Sequence, residues 1–183
     1  MPLNAPLILN RWSPRSFSPV DIDPQDLLAF LDAGRWAPSA YNSQPWRFIY
    51  ARHNTPEWDR FLSWLIPFNR SWAENASAIV FVASRTITIS SRTGEPSPLR
   101  THAFDTGAAS ILVQLQASQA GWAVHPISGF DHDLAHAALV IGKQASAENL
   151  SEELRKREQP SSRASLNELA FEGRFNASEK SED

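Results

Sequence analysis

The chain has 183 residues, 42% of them apolar, and a formal net charge of −3. That length suits one domain with a core of moderate size, and seventeen basic against twenty acidic residues argue against a large basic face for nucleic acid. There is no cysteine, which removes disulfides, thiolate nucleophiles and cysteine metal ligands together. No run of about eighteen apolar residues occurs, so no membrane span is expected. The N-terminus MPLNAPLILNRW has no basic n-region and too short an apolar run for a signal peptide. A soluble cytoplasmic protein is the expectation.

In chain order, Asp23 followed by Pro24 marks a helix start, an N-cap acid before proline at the first helical position. Leu27, Leu28, Leu31 and Trp36 continue a roughly helical period until Pro38 stops it. Residues 48–51 form a short apolar run, read as a strand. Over 57–66, Trp58, Phe61, Leu62 and Leu65 repeat at helical spacing. Residues 79–83, IVFVA, read as a buried strand from their β-branched content. The longest helix is predicted over 102–120, with Ala108, Ile111, Leu112, Leu115 and Gln119 along one side and Gly121 at the C-cap. Two further strands are expected at 122–127 and 138–141. Helices and strands alternate without a clean βαβ repeat, so the fold class is α+β. From 143 onward charge dominates, with seven basic and nine acidic residues and sparse leucines and phenylalanines. Such a segment cannot bury a core of its own. It reads as an arm that docks on another surface up to about Phe175, followed by a disordered tail over 176–183.

Several common chemistries have no carrier. Neither GxGxxG nor GxxxxGK[ST] nor GxSxG occurs. His132 and His136, spaced i, i+4, lack the metalloprotease glutamate, so no metal is expected. The loop at 37–46, APSAYNSQPW, is more informative. It sets Tyr41 and Trp46 among polar side chains and reads as a surface that holds something flat and polar-edged. In RWSPRSF at 11–17, Pro14 favours an extended course, which would put Arg11, Ser13 and Arg15 on one face as a phosphate cradle. A solvated loop with two ordinary arginines is the competing reading, and for that segment alone the favoured one. At 122–131, WAVHPISGFD, Gly129 permits close backbone approach to a ligand, but for that segment alone a plain strand-ending turn is the favoured reading. Asp105-Thr106-Gly107 is accounted for as local capping.

Together RWSPRSF (11–17), APSAYNSQPW (37–46), PFNRSW (67–72), FDTGAAS (104–110), PISGFD (126–131) and FEGRF (171–175) resemble, in order and spacing, the nitroreductase-like FMN-dependent flavoproteins. The resemblance implies a nitroreductase-like fold in a single domain over 1–183. A central mixed or antiparallel sheet flanked by helices would form an intertwined homodimer, with residues 143–175 exchanged as embracing arms. It implies FMN at each subunit interface, NADH or NADPH as electron donor, and a nitroaromatic, quinone or activated alkene as acceptor. Hydride would pass through flavin N5 by ping-pong kinetics. It places Arg11, Trp12, Ser13 and Arg15 at the N-terminal FMN contacts, Asn69 at the polar edge of the ring, and Arg174 at the phosphate. Pro38, Ser39, Tyr41, Asn42 and Gln44 would reach the flavin of the partner, and the backbone of Ser128 and Gly129 would address N5 and O4. No side-chain acid or nucleophile is required, because FMN carries the chemistry.

The sequence also departs from the family pattern. Trp12 stands where arginine or histidine is common, Trp72 where some members carry a basic residue, and Glu172 where some carry lysine. Residues 84–100 are short where many members carry a substrate-covering insertion. These departures keep two alternatives in view: a flavin-binding sensor or store with little turnover, and an oxygen-dependent enzyme that modifies the flavin itself.

Overall fold

A computed structural model describes residues 5–171 other than 91, 132 and 134, together with residue 173. A short helix α1 (Pro6–Leu9) leads through an irregular stretch to strand β1 (Phe17–Ser18). Helix α2 (Pro24–Arg35) starts where the sequence indicates: the Asp23 carboxylate accepts from the Gln25 N–H at 2.7 Å, with Pro24 in the first turn. Strand β2 (Trp46–Arg52), helices α3 (Trp58–Ser63) and α4 (Pro67–Ala73) and strand β3 (Ala78–Ser84) follow. A small hairpin pairs β4 (Ile87–Ile89) with β5 (Pro96–Pro98). The long helix α5 (His102–Gln119) ends at Gly121, whose φ of +74° suits glycine. Strands β6 (Ala123–Ile127) and β7 (Ala137–Gln144) complete the sheet, and α6 (Glu152–Arg155) follows.

The main sheet is antiparallel throughout. Strand β7 pairs with β3 on one edge and with β6 and β1 on the other, and β2 lies outside β3. Helices cover both faces, which explains the unbroken apolar runs of β3 and β7. Ile79, Phe81, Ala138 and Val140 face Trp58, Phe61, Leu65 and Trp72. Val80, Val82, Leu139 and Ile141 face Leu27, Phe30, Val113 and Ala117. This alternation is the period-2 geometry of a strand.

The packing decides which side of α2 and of α5 is buried. In α2, Leu28 and Trp36 point outward although they follow the helical period. In α5 the buried line is Asp105, Ala109, Val113 and Ala117, and Ile111 on the expected side is exposed. The reason is close packing of α5 on α2. A Cβ added at Gly34 would lie 2.8 Å from Val113 Cγ2 and 2.9 Å from Phe48 Cζ, and only small α5 residues admit that approach. Gly34→Val will therefore destabilise the fold by about 1–3 kcal/mol through overpacking, read as a lower urea midpoint at unchanged slope. Gly34→Ala will cost less, since alanine recovers about 1 kcal/mol of helix propensity.

The C-terminal segment is also redrawn. Lys143 and Gln144 pair with Ser18 and Phe17 inside the sheet, and Leu154 is buried in this chain's own core. Farther along, Leu166 and Leu169 are exposed. Residues 176–183, read as a disordered tail, lie outside the described residues.

Candidate functional site

The N-terminal segment is held from behind by the C-terminal one. The Glu158 carboxylate accepts from the Arg15 and Ser16 backbone N–H groups at 2.9–3.0 Å. Ser16 Oγ donates to the Ser146 carbonyl, and Arg15 Nη1 donates to the Arg157 carbonyl at 3.2 Å. Between the two segments opens a cavity of about 620 Å³, whose lining includes Trp12, Ser13, Arg15, His125, Arg157 and Arg163. Strict alternation along 11–17 does not hold. Arg11 lines a neighbouring cavity of about 160 Å³, and Trp12 lines both. Ladder pairing begins only at Phe17, so nothing imposes a pleat on the residues before it.

This region concentrates cations. Burial lowers the pKa of Arg11, and the nearby Arg163 lowers it further. Burial also lowers Arg15; Glu158 opposes the shift and Arg157 adds to it. Arg15 Nε is buried and has no hydrogen-bond partner among the described residues. His125, only 8% exposed, donates from Nδ1 to the Pro14 carbonyl at 2.9 Å and lies 4.8 Å from the Trp72 ring. Burial above all, with Arg15 and Arg11 adding, pushes its pKa down to about 4 against the raising effect of the Pro14 bond. The ring is neutral at pH 7, which leaves Nε2 as an acceptor.

Asn69 and Gly129 come together at the end of β6. Asn69, buried on α4, donates from Nδ2 to the Gly129 carbonyl at 3.2 Å, and the Ile66 N–H donates to the same oxygen at 3.1 Å. A side chain at Gly129 would collide with Asn69 Nδ2 and Ile66 Cδ1. The glycine therefore serves a close protein contact at the strand-ending turn. The backbone N–H groups of exposed Ser128 and half-buried Gly129 donate to no group among the described residues. Trp72 Nε1 is buried and equally unpartnered.

The opening loop lies elsewhere in the chain. Tyr41, Asn42 and Gln44 have φ of +52°, +53° and +44°, and none is glycine. The loop holds itself by a bond from the Gln44 N–H to Ser39 Oγ at 3.0 Å. It is anchored by Asp105, which accepts from the Ala40 N–H at 3.1 Å and from Thr101 Oγ1 at 2.9 Å. Asp105 is thus a buried loop anchor, which its sequence context as a cap did not reveal. Pro38, Tyr41, Asn42 and Gln44 are exposed. Trp46, read as part of a gripping surface, is instead buried against Ala37 and Ala109. The loop lines none of the Arg15 cavity.

Arg174 lies outside the described residues. Arg163 and His125 escaped the sequence reading. The signal for Arg163 was a lone arginine closing the polar QPSS stretch. His136 Nε2 lies 2.6 Å from Ser84 Oγ, which also meets His102 Nδ1 at 2.6 Å.

The antiparallel sheet with helices on both faces has counterparts among solved proteins. The chain belongs to the nitroreductase family, whose model matches residues 8–151. A solved oxidoreductase containing FMN superposes with a TM-score of 0.89 at 41% identity, covering 96% of this chain and 94% of that one. A nitroreductase family protein from Clostridium difficile 630 shares the fold, with a TM-score of 0.67 at 20% identity over 92% of this chain and 97% of that one. The CLA biosynthesis enone reductase of Lactiplantibacillus plantarum is 38% identical over 84 residues, 45% of this chain and 38% of that protein. YdgI of Bacillus subtilis (strain 168), provisionally named an NAD(P)H nitroreductase, is 32% identical over 77 residues, 42% of this chain and 36% of that protein. The matched stretch thus spans under two fifths of either curated relative. Among the described residues, no helix is long and apolar enough to cross a membrane.

Proposed function

We propose that this chain is an FMN-dependent NAD(P)H oxidoreductase acting on an electron-poor acceptor. The observation that carries the proposal is the buried, unpartnered Arg15 Nε at a cavity ringed by arginines. A fixed donor of that kind suits an anionic, polar-edged ligand, and the site's chemistry fits FMN. When bound, FMN supplies the hydride transfer. The chain's residues supply binding and orientation. Ser13 and Arg163, which line the cavity, would hold the phosphate, Arg11 would add its charge from the neighbouring cavity beside Arg163, and Arg174 would add to them as the sequence suggests. Trp12 walls the cavity, and Arg15 would meet the ring or ribityl chain. Asn69 Oδ1 and the free N–H groups of Ser128 and Gly129 would meet the polar edge of the ring.

Pro38, Ser39, Tyr41, Asn42 and Gln44 would complete the site in a second copy. Exposed Leu7, Ile8, Leu9, Trp36, Phe104 and Ile111 support that pairing, since an isolated chain gains nothing by presenting them to water. On this reading the chain is one domain whose segment beyond about residue 163 is the arm that reaches its partner. A flavin store with little turnover is the competing function. It is favoured by Trp72, which is buried on His125 and leaves its position on α4 without a cation for a nicotinamide.

Titration of the apoprotein with FMN will quench flavin fluorescence to an end point of one FMN per chain, and ultracentrifugation will give twice the chain mass. An unquenched titration would remove the flavin reading, and a monomer that binds FMN would remove the shared site.

A further inference from the structure

The hairpin β4–β5 and the opening loop enclose a second cavity of about 530 Å³ that shares no residue with the first. Its volume lies within the ordinary range for small-molecule sites. Tyr41, Ile89, Pro98 and Leu99 give it apolar walls, and Arg92 and Arg100 stand among the lining residues, which include no carboxylate. Neither guanidinium makes an ion pair or a side-chain hydrogen bond among the described residues.

Two further observations point to a ligand here. Ser43 lines the cavity, and its Oγ is buried without a hydrogen-bond partner; a buried hydroxyl left unpaired costs free energy unless something else meets it. The wall is also strained. Tyr41, on the cavity, and its neighbours Asn42 and Gln44 hold left-handed backbone, a conformation costing of order 1 kcal/mol or more per residue that concentrates at ligand sites. Asp105 and the bond from Arg85 Nη2 to the Ser43 carbonyl at 2.9 Å hold that strained loop in place.

We infer that this cavity takes the electron acceptor, and that the acceptor has a flat apolar body bearing a carboxylate. The inference rests on the flavin reading, which brings the opening loop to the cofactor of a second copy. Tyr41, Ile89 and Leu99 would cover the body, and Arg92 and Arg100 would hold the carboxylate, for which the guanidinium fork is matched.

The test compares 4-nitrobenzoate with its neutral isostere 4-nitrobenzamide on the FMN-loaded protein. In each case the nitro group is reduced to nitroso with loss of one water; NAD(P)H supplies the hydride and solvent the proton. The wild type will show at least a tenfold higher kcat/KM for 4-nitrobenzoate. The Arg92→Gln/Arg100→Gln double variant will lose that preference while its rate with 4-nitrobenzamide and its FMN affinity stay unchanged. Ile89→Trp, which fills the cavity, will lower kcat/KM for both acceptors. Equal rates in the wild type, or a preference that survives the double substitution, would overturn the inference. If the wild type fails to hold FMN, the flavin reading falls separately. Calorimetry of 4-nitrobenzoate against 4-nitrobenzamide on the wild type and on the Arg92→Gln/Arg100→Gln variant then decides whether the cavity binds carboxylates, and equal or absent binding in the wild type, or a preference that survives the double substitution, rejects it.

Discussion

Arg15→Ala protein will bind FMN roughly ten- to hundred-fold more weakly than the unaltered chain. A hydrogen bond to a charged group is worth about 1.5–3 kcal/mol, and each 1.4 kcal/mol is tenfold in affinity. The guanidinium is held at the cavity by its bond to the Arg157 carbonyl, while its Nε remains buried and unpartnered. Glu158 clasps the backbone N–H groups of Arg15 and Ser16 by hydrogen bonds that do not involve the side chain, and only its charge acts on the guanidinium. Alanine leaves that clasp intact, so apoprotein stability will change far less than FMN affinity. Arg163→Ala will weaken binding by a similar order, and its effect will not add simply to that of Arg11→Ala, since the two guanidiniums sense each other. Fluorescence titration of each apoprotein with FMN measures all of these. Unchanged affinity in Arg15→Ala would mean that the cavity behind β1 is not the cofactor site.

The second large effect is on acid stability. His125 has its pKa depressed to about 4 in the folded chain, against an ordinary value of 6.5. Between these two values the unfolded chain binds the proton and the folded chain resists it. Stability is therefore unaffected by this group above about pH 6.5, declines as pH falls toward 4, and levels off below. The full loss is about 3 kcal/mol, from 1.36 kcal/mol for each pKa unit. His125→Phe keeps an aromatic ring against Trp72 and removes the titration, so its urea midpoint will depend less on pH between 6.5 and 4. An equal pH dependence in the two proteins would show that His125 does not bear the penalty.

The local signals in the sequence were good where a single residue type decides the outcome. Asp23-Pro24 starts α2 and Gly121 ends α5, because capping chemistry is local. The faces of α2 and α5 were not legible in the same way. Helical periodicity gives spacing, but which side is buried depends on Gly34 meeting Val113 across two helices. The hairpin β4–β5 was missed because its three-residue strands carry almost no periodic signal. In the candidate site, ordered motifs single out Arg15 and Asn69, and the structure sets Arg15 at the cavity and Asn69 against the Gly129 carbonyl. Those motifs miss Arg163, because its approach to Arg11 depends on how the C-terminal segment folds back over 11–16. His125 was hidden for a related reason: its role comes from the Pro14 carbonyl and the Trp72 ring, both distant in sequence.

The most direct test of the central claim is an anaerobic titration of the FMN-reconstituted protein with NADPH and, separately, NADH, followed by flavin absorbance. The account predicts that at least one nicotinamide bleaches the bound flavin with one equivalent per FMN, and that an electron-poor acceptor then restores the colour. A protein that binds FMN yet is bleached by neither nicotinamide would contradict the oxidoreductase assignment and leave a flavin store in its place.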